Sequence, residues 1–141
     1  MGGLKYDGRI ERYRKILYDV LAKERTLIGT VKRKDIPKLP GIYLVFELDN
    51  PVYVGSTKDL KRRIASNLKR GRGHYLSSLL RKRMFSGDRD QTVAYLAKCS
   101  IVWCKISPEL RAEWVERFCQ SILKTKYNQA KALPVRLTPV V

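Results

Sequence analysis

Two apolar segments separated by a short polar turn, Gly41 to Leu48 and Val52 to Gly55, constrain the fold of this chain more than any other feature. Ile42-Tyr43-Leu44-Val45-Phe46 shows no polar alternation, so a strand here must be covered on both faces or nearly so. Asp49-Asn50-Pro51 has turn chemistry, and Val52-Tyr53-Val54-Gly55 forms the returning arm of a β-hairpin. The hairpin makes Tyr43 and Tyr53 near cross-strand neighbours. A single strand tyrosine is by default a packing residue. Two of them beside Gly55 leave room for a phosphate at the start of the next helix, whose first N–H groups favour anions.

The rest of the chain surrounds this hairpin with helices. Residues 1–7 are expected to be loose. Ile10, Tyr13, Leu17, Val20 and Leu21 predict a helix over Arg9 to Lys23 with a charged outer face. Leu27 to Val31 has the composition of a short strand or an extended arm, and Pro37 and Pro40 close a linker. Ser56 fits an N-cap with Asp59 completing a box-like pair, for a helix that turns Leu60, Ile64 and Leu68 inward. Gly71 and Gly73 break that helix. A second is expected over His74 to Phe85, a third over Thr92 to Lys98 with Asp90 as cap, and a strand over Cys99 to Ile106. Ser107-Pro108-Glu109 predicts the start of a long helix reaching about Lys126.

These elements predict an α/β fold, a small, mainly antiparallel three-stranded sheet flanked by helices, with an N-terminal helical extension. Residues 1–36 are expected to form a basic helix and arm packed on the same domain. The domain itself is expected over 37–130, and 131–141, with Pro134 and Pro139, as a tail wrapping the body.

Charge narrows the partner. The 141 residues carry 30 Lys and Arg against 13 Asp and Glu, a net charge of +17. Self-repulsion of that size opposes compaction, so a polyanion is the simplest partner, nucleic acid first and an anionic membrane surface second. Between Lys58 and Arg83 there are ten basic residues and one acid, Asp59. Solvated faces usually mix both signs. Gly55, Ser56, Lys58, Lys61, Arg62, Lys69, Arg70 and Arg72 are therefore candidate nucleic-acid contacts, with affinity expected to fall steeply with salt. No segment approaches the roughly 20 apolar residues of a membrane span, and the basic helices lack a Trp/Phe-rich apolar face. No small-molecule cofactor is expected. Cys99, Cys104 and Cys119 have no zinc-type spacing and sit among apolar neighbours, and His74 is the only histidine. Free buried thiols and the missing apolar leader make a cytoplasmic, intracellular location the expectation.

Leu39-Pro40-Gly41-Ile42-Tyr43, then Tyr53-Val54-Gly55-Ser56-Thr57, then Arg63 ten residues after Tyr53, resembles the GIY-YIG nuclease family. Glu116, followed twelve residues later by Asn128 in a Tyr-Asn pair, is similar to the catalytic glutamate and asparagine of the family's excision-repair branch. Gly73-His74-Tyr75-Leu76-Ser77-Ser78 resembles a histidine segment of its homing-endonuclease branch. The resemblance spans about Pro40 to Asn128. One position departs: Asn67 stands four residues after Arg63, where many members carry histidine or tyrosine.

The resemblance implies a Mg²⁺- or Mn²⁺-dependent DNA endonuclease using one ion held by Glu116, largely through water. It implies that Arg63 grips the scissile phosphate, where a planar guanidinium fork outperforms a lysine. Tyr53, or Tyr43 with it, accepts the proton of the attacking water, and His74 serves as base, leaving-group acid or a phosphate contact. Asn128 is a candidate nucleic-acid contact or an anchor for the end of the long helix. Glu113 rivals Glu116 one turn earlier, but Val115, Phe118 and Cys119 place Glu116 beside the core stripe, where an acid needs a partner. The alternative is a non-catalytic basic nucleic-acid-binding module on a degenerate nuclease fold. With no appended recognition domain visible, specificity is expected from DNA structure, from the N-terminal helix or from a protein partner.

Overall fold

The computed structural model describes residues 2–129, with side chains from residue 8 onward. Four strands form one antiparallel sheet in the order β1-β4-β2-β3: β1 (Thr26–Leu27), β2 (Gly41–Glu47), β3 (Asn50–Thr57) and β4 (Ser100–Lys105). The three expected strands are present, and the two-residue β1 adds a fourth at one edge. Helices flank the sheet: α1 (Gly2–Leu21), α2 (Tyr75–Arg83), α3 (Arg89–Lys98), α4 (Ala112–Leu123) and α5 (Lys126–Gln129), with a π-helical segment over Arg62–Leu68.

The unbroken apolar character of β2 is explained by two cores, one per face. Ile42, Leu44 and Phe46 pack with Tyr13, Leu17 and Val20 of α1 and Val115 and Cys119 of α4. Tyr43 and Val45 face the other way, toward Leu60, Ile64, Leu76, Leu80 and Leu96. Each fully buried aliphatic side chain contributes about 1.5–3 kcal/mol relative to exposure. Helices from both ends of the chain thus clamp the hairpin, and their far sides remain free to carry charge.

Several local expectations are corrected. The helix assigned to Arg9–Lys23 begins at Gly2, within residues expected to be loose. With no proline in the way, a helix anchored by Tyr13, Leu17 and Val20 extends toward its N-terminus at one bond per residue. The hairpin turn is Leu48–Asp49 rather than Asp49-Asn50-Pro51, and Leu48 takes φ +55°. Ser56 is no N-cap: it lies in β3 opposite Ile42, and Asp59 caps the next helix by accepting the Arg62 amide at 3.1 Å. Two amides at that helix start, Leu60 and Lys61, instead bond the linker carbonyls of Leu39 and Pro37. Asp88, not Asp90, caps α3. Ser107–Leu110 forms a separate turn, and Arg111 at φ +60° separates it from α4, which starts only at Ala112. The long helix also ends early, where Lys124 turns left-handed at φ 49°.

The three cysteines are unpaired; Cys99 and Cys119 are buried and Cys104 is half-buried. Burial raises their thiol pKa values, to about 11 for Cys99 and about 12 for Cys119. Among the described residues no helix is long and apolar enough to cross a membrane. The tail expected over 131–141 lies outside the described residues.

Candidate active site

β3 is the free edge of the sheet, so side chains from the two opposite layers meet around it. Tyr53 points into the layer of α2, and Glu116 comes from α4 on the other face. Both line one cavity of about 380 Å³, together with Tyr75, Gln120 and Asn128. A larger groove of about 750 Å³ adjoins it through Glu113 and is lined by Lys58, Arg62, Arg63 and Asn67.

The tyrosines are diagonal rather than directly opposed. Tyr43 pairs with Gly55 and Tyr53 with Val45, which puts the two rings on one face with centroids 6.2 Å apart. This pairing explains Gly55. A Cβ there would stand 2.3 Å from both Cζ and Oη of Tyr43. Gly55 is therefore buried beneath a phenol ring, and the expectation that it leaves room for a phosphate is corrected.

Tyr43 is 2% exposed, and its hydroxyl lies 2.6 Å from Nε2 of His74. His74 is equally buried and caps α2, its Nδ1 accepting the Leu76 amide at 3.0 Å. An Nδ1 that accepts carries no proton, so the ring is the neutral tautomer and Nε2–H donates to the Tyr43 oxygen. Burial, then the nearby Arg63 charge, lowers the His74 pKa to about 3. His74 lines neither cavity, so direct proton transfer to substrate by His74 does not suit this placement. Burial is also the main reason both tyrosine pKa values rise. For Tyr53 the Glu116 carboxylate raises it further, whereas Arg63 and a hydrogen bond from Tyr43 oppose the rise.

Glu116 is half-buried and held at both oxygens. Ser56 Oγ donates to Oε1, and Gln120 Nε2 donates to Oε2 at 2.5 Å. Ser56 and Gln120 are neutral donors, so neither cancels the charge with which this carboxylate would attract a cation. Among the described residues no three or more His, Cys, Asp or Glu cluster as a metal cage. Carboxylate, hydroxyl and amide oxygens line this cavity, with Arg117 also at its wall, and such hard donors suit a hard divalent cation. Glu113, the rival acid, is exposed and paired with Arg111 Nε at 2.9 Å.

Arg63 is steered into the larger groove by the carbonyl of Gly73, which accepts from its Nη1 at 3.2 Å. Gly73 takes φ +62°, a conformation that favours glycine. The other basic candidates divide. Lys58 and Arg62 share the groove of Arg63, whereas Lys69 and Arg70 line a separate groove on the far side of the π-helical segment. Lys61 and Arg72 line neither. Asn128 acts on backbone: its Oδ1 accepts the Val54 amide at 2.8 Å and its Nδ2 donates to the Val54 carbonyl at 3.0 Å. It completes the ladder of the free β3 edge as another strand would. Its neighbour Tyr127 is buried in the core below and bonds Tyr95 at 2.9 Å.

Three lining residues escaped the sequence reading. Tyr75 stacks on Tyr53 with centroids 6.4 Å apart. Gln120 lies one helical turn after Glu116, a spacing that signals side-chain contact. Arg111 lines the larger groove from a backbone conformation that costs a non-glycine residue on the order of 1–3 kcal/mol; no sequence signal marks it.

A search of curated proteins returned no significant match. The family profile described as GIY-YIG catalytic domain matches residues 39–128. That interval holds β2, β3, β4, α4 and both cavities, with every residue of the two triplets on the paired strands β2 and β3. The match covers well over half of the sequence, and the chain belongs to the GIY-YIG family.

Proposed function

We propose that the chain is a divalent-metal-dependent DNA endonuclease that hydrolyses phosphodiester bonds with one ion held by Glu116. Family membership supports a nuclease-type function in general. The observation that carries the finer reading is the convergence of Glu116, Tyr53 and Arg63 at the β3 edge, a carboxylate, a phenol and a guanidinium drawn from three different elements.

Phosphodiester hydrolysis needs a water made nucleophilic, a phosphate whose charge is balanced, and a stabilised leaving alkoxide. A divalent ion on Glu116 supplies Lewis-acid stabilisation of phosphoryl charge when bound. Ser56 and Gln120 fix the orientation of the carboxylate. Arg63, already anchored on Gly73, presents its remaining N–H groups to the scissile phosphate. Tyr53 is the base, because it lines the cavity with Glu116 whereas Tyr43 does not. In the free protein burial and the Glu116 charge keep Tyr53 protonated. With a cation held by Glu116 that charge would be offset, and the Tyr53 oxygen would then be able to accept the proton of the attacking water.

Tyr43 and His74 position that base. The Leu76 amide fixes the His74 tautomer, His74 Nε2–H donates to Tyr43, and Tyr43 is left to donate to Tyr53. Each donor points toward the oxygen that must bear negative charge. The test is supercoiled plasmid incubated with Mg²⁺ or Mn²⁺ and the wild type, Glu116→Ala and Arg63→Ala proteins. Metal-dependent nicking lost in both variants is the expected result. Tight binding without cleavage under either metal establishes the non-catalytic binding module instead.

A further inference from the structure

The basic residues near the hairpin do not form one surface. The helical turn from Leu60 to Leu68 buries Leu60, Ile64 and Leu68 and stands as a ridge between two grooves. Its i→i+5 bonds, Lys69 N to the Ile64 carbonyl and Arg72 N to the Asn67 carbonyl, widen the winding so that residues four or five apart share a face. Arg62, Arg63 and Asn67 line the groove on one side. Ala65, Lys69 and Arg70 line the other, a groove of about 610 Å³ completed by Arg33 and by Arg89 of α3. The Arg33 guanidinium donates to Ser66 of the ridge.

The second groove is built for an anion. Lys69 is fixed by the Val31 carbonyl at 2.9 Å, and Arg89 by the Arg70 carbonyl through two donors at 3.2 and 2.8 Å. These acceptors are neutral, and the one acid lining the groove, Asp90, is outnumbered by four cations, so the groove stays positive. None of Arg33, Lys69, Arg70 or Arg89 takes part in the ion pairs found among the described residues. Ala65, Ala94 and Ala97 give the floor a low profile that admits a backbone. A helix with its side chains is about 10–12 Å across, and the major groove of a duplex is about 12 Å wide.

We infer that this chain acts on a duplex that straddles the ridge: one strand lies in the Arg63 groove, and the phosphates of the complementary strand lie in the groove of Arg33, Lys69, Arg70 and Arg89. The inference rests on the assignment of the Arg63 groove to the strand being cut. It deepens that assignment by giving the second strand a site that is not catalytic. A single strand engages one groove at a time and gains little from the other.

The test measures binding without metal, by fluorescence anisotropy in EDTA, with a labelled duplex of about 20 base pairs and its matching single strand. The combined Arg33→Gln, Arg70→Gln and Arg89→Gln variant is expected to weaken duplex binding at least about tenfold. It should also flatten the dependence of log K on log salt by about two to three, close to one per phosphate contact removed. Single-strand binding should change by less than about threefold by the same counting of contacts. The matching Arg→Lys variant, which keeps the charge, is expected to retain the salt slope, and an unchanged melting temperature excludes misfolding as the cause. Unchanged duplex affinity and slope, or an equal loss for single strand and duplex, overturns the inference. Adding Mg²⁺ to the same duplex separates the two readings. No cleavage with the groove dependence intact rejects the nuclease assignment alone, whereas wild-type cleavage and binding by the Gln variant rejects the second-strand groove alone.

Discussion

The Tyr43 hydroxyl lies 2.6 Å from Nε2 of His74, and the opposite ring nitrogen of that histidine accepts the Leu76 amide. With both nitrogens committed, the proposed role of His74 is to act through Tyr43 rather than on substrate. His74→Phe keeps an aromatic ring in the pocket but removes the donor to Tyr43. Cleavage turnover is expected to fall about 10²-fold, at the low end for a proton-transfer step, with DNA affinity nearly unchanged. Single-turnover cleavage and equilibrium binding measured in parallel check this. Equal losses in both would show that His74 contacts DNA.

Burial of neutral His74 has a consequence for acid stability. Its folded pKa of about 3 lies below the ordinary 6.5, so the unfolded chain binds the proton first as pH falls. The contribution is fully present above pH 6.5 and is lost progressively from there toward pH 3. One proton taken up on unfolding gives a slope of about 1.4 kcal/mol per pH unit. Urea titrations across that window should show the slope in the wild type and its absence in His74→Phe, the difference cancelling the carboxylates common to both. Parallel pH profiles would sink the assignment of a buried neutral histidine.

Gly55 is expected to tolerate no side chain. The Cβ of Gly55→Ala would overlap Tyr43, which is pinned by His74 and cannot swing away without breaking that bond. Overpacking of this kind costs about 1–3 kcal/mol. The smaller, ringless side chain of Gly55→Ala, Tyr43→Leu relieves the clash, so its stability should recover relative to Gly55→Ala while cleavage stays low. Chemical denaturation of Gly55→Ala, Tyr43→Leu and the double variant against wild type measures the coupling directly.

The hairpin was legible in the sequence because both of its strands carry an apolar signal strong enough to demand a covered sheet, as the two cores on Ile42 and Tyr43 bear out. The family followed from the ordered spacing of the two triplets, Arg63 and Glu116. What could not be read were choices between equivalent local signals. Ser56, Thr57 and Asp59 are all competent caps, and only the length of β3 decides that Ser56 belongs to the strand and turns to Glu116. Ser107-Pro108 carries the signal of a helix start, but only a turn forms there, and nothing local announces the φ of +60° at Arg111 that delays α4 to Ala112. Lys124 ends α4 in a conformation usually given to glycine, so nothing local announces it. The split of Lys69 and Arg70 from Arg62 and Arg63 depends on the π winding, which composition does not encode.

Asn128 is expected to matter for stability more than for turnover. Its amide pairs both polar groups of Val54, and Thr125 also donates to its Oδ1. Asn128→Ala leaves a β3 amide and carbonyl short of partners, a loss of about 1–3 kcal/mol. With saturating Mg²⁺ and at a temperature where the variant remains folded, turnover should stay within about threefold of wild type, because additive backbone pairing acts on the folded population. A large fall in turnover for fully folded Asn128→Ala would place the amide in the chemistry.

Glu116, and not its neighbour Glu113, is the proposed metal ligand. Both lie on α4 and both border the cavities, but Glu116 is held by Ser56 and Gln120 at the β3 edge, whereas Glu113 is exposed and neutralised by Arg111. Glu116→Gln preserves shape and removes charge, so it should lower cleavage by about 10³-fold or more, the scale of losing one transition-state electrostatic contact. Duplex affinity should hold or rise, because a negative charge leaves a basic groove. Glu113→Gln should cut within a few-fold of wild type. Mn²⁺ titration of cleavage adds the decisive readout: a residual activity of Glu116→Gln with unaltered metal dependence would move the ion elsewhere, and loss of activity in Glu113→Gln with a raised metal requirement would make that acid the ligand.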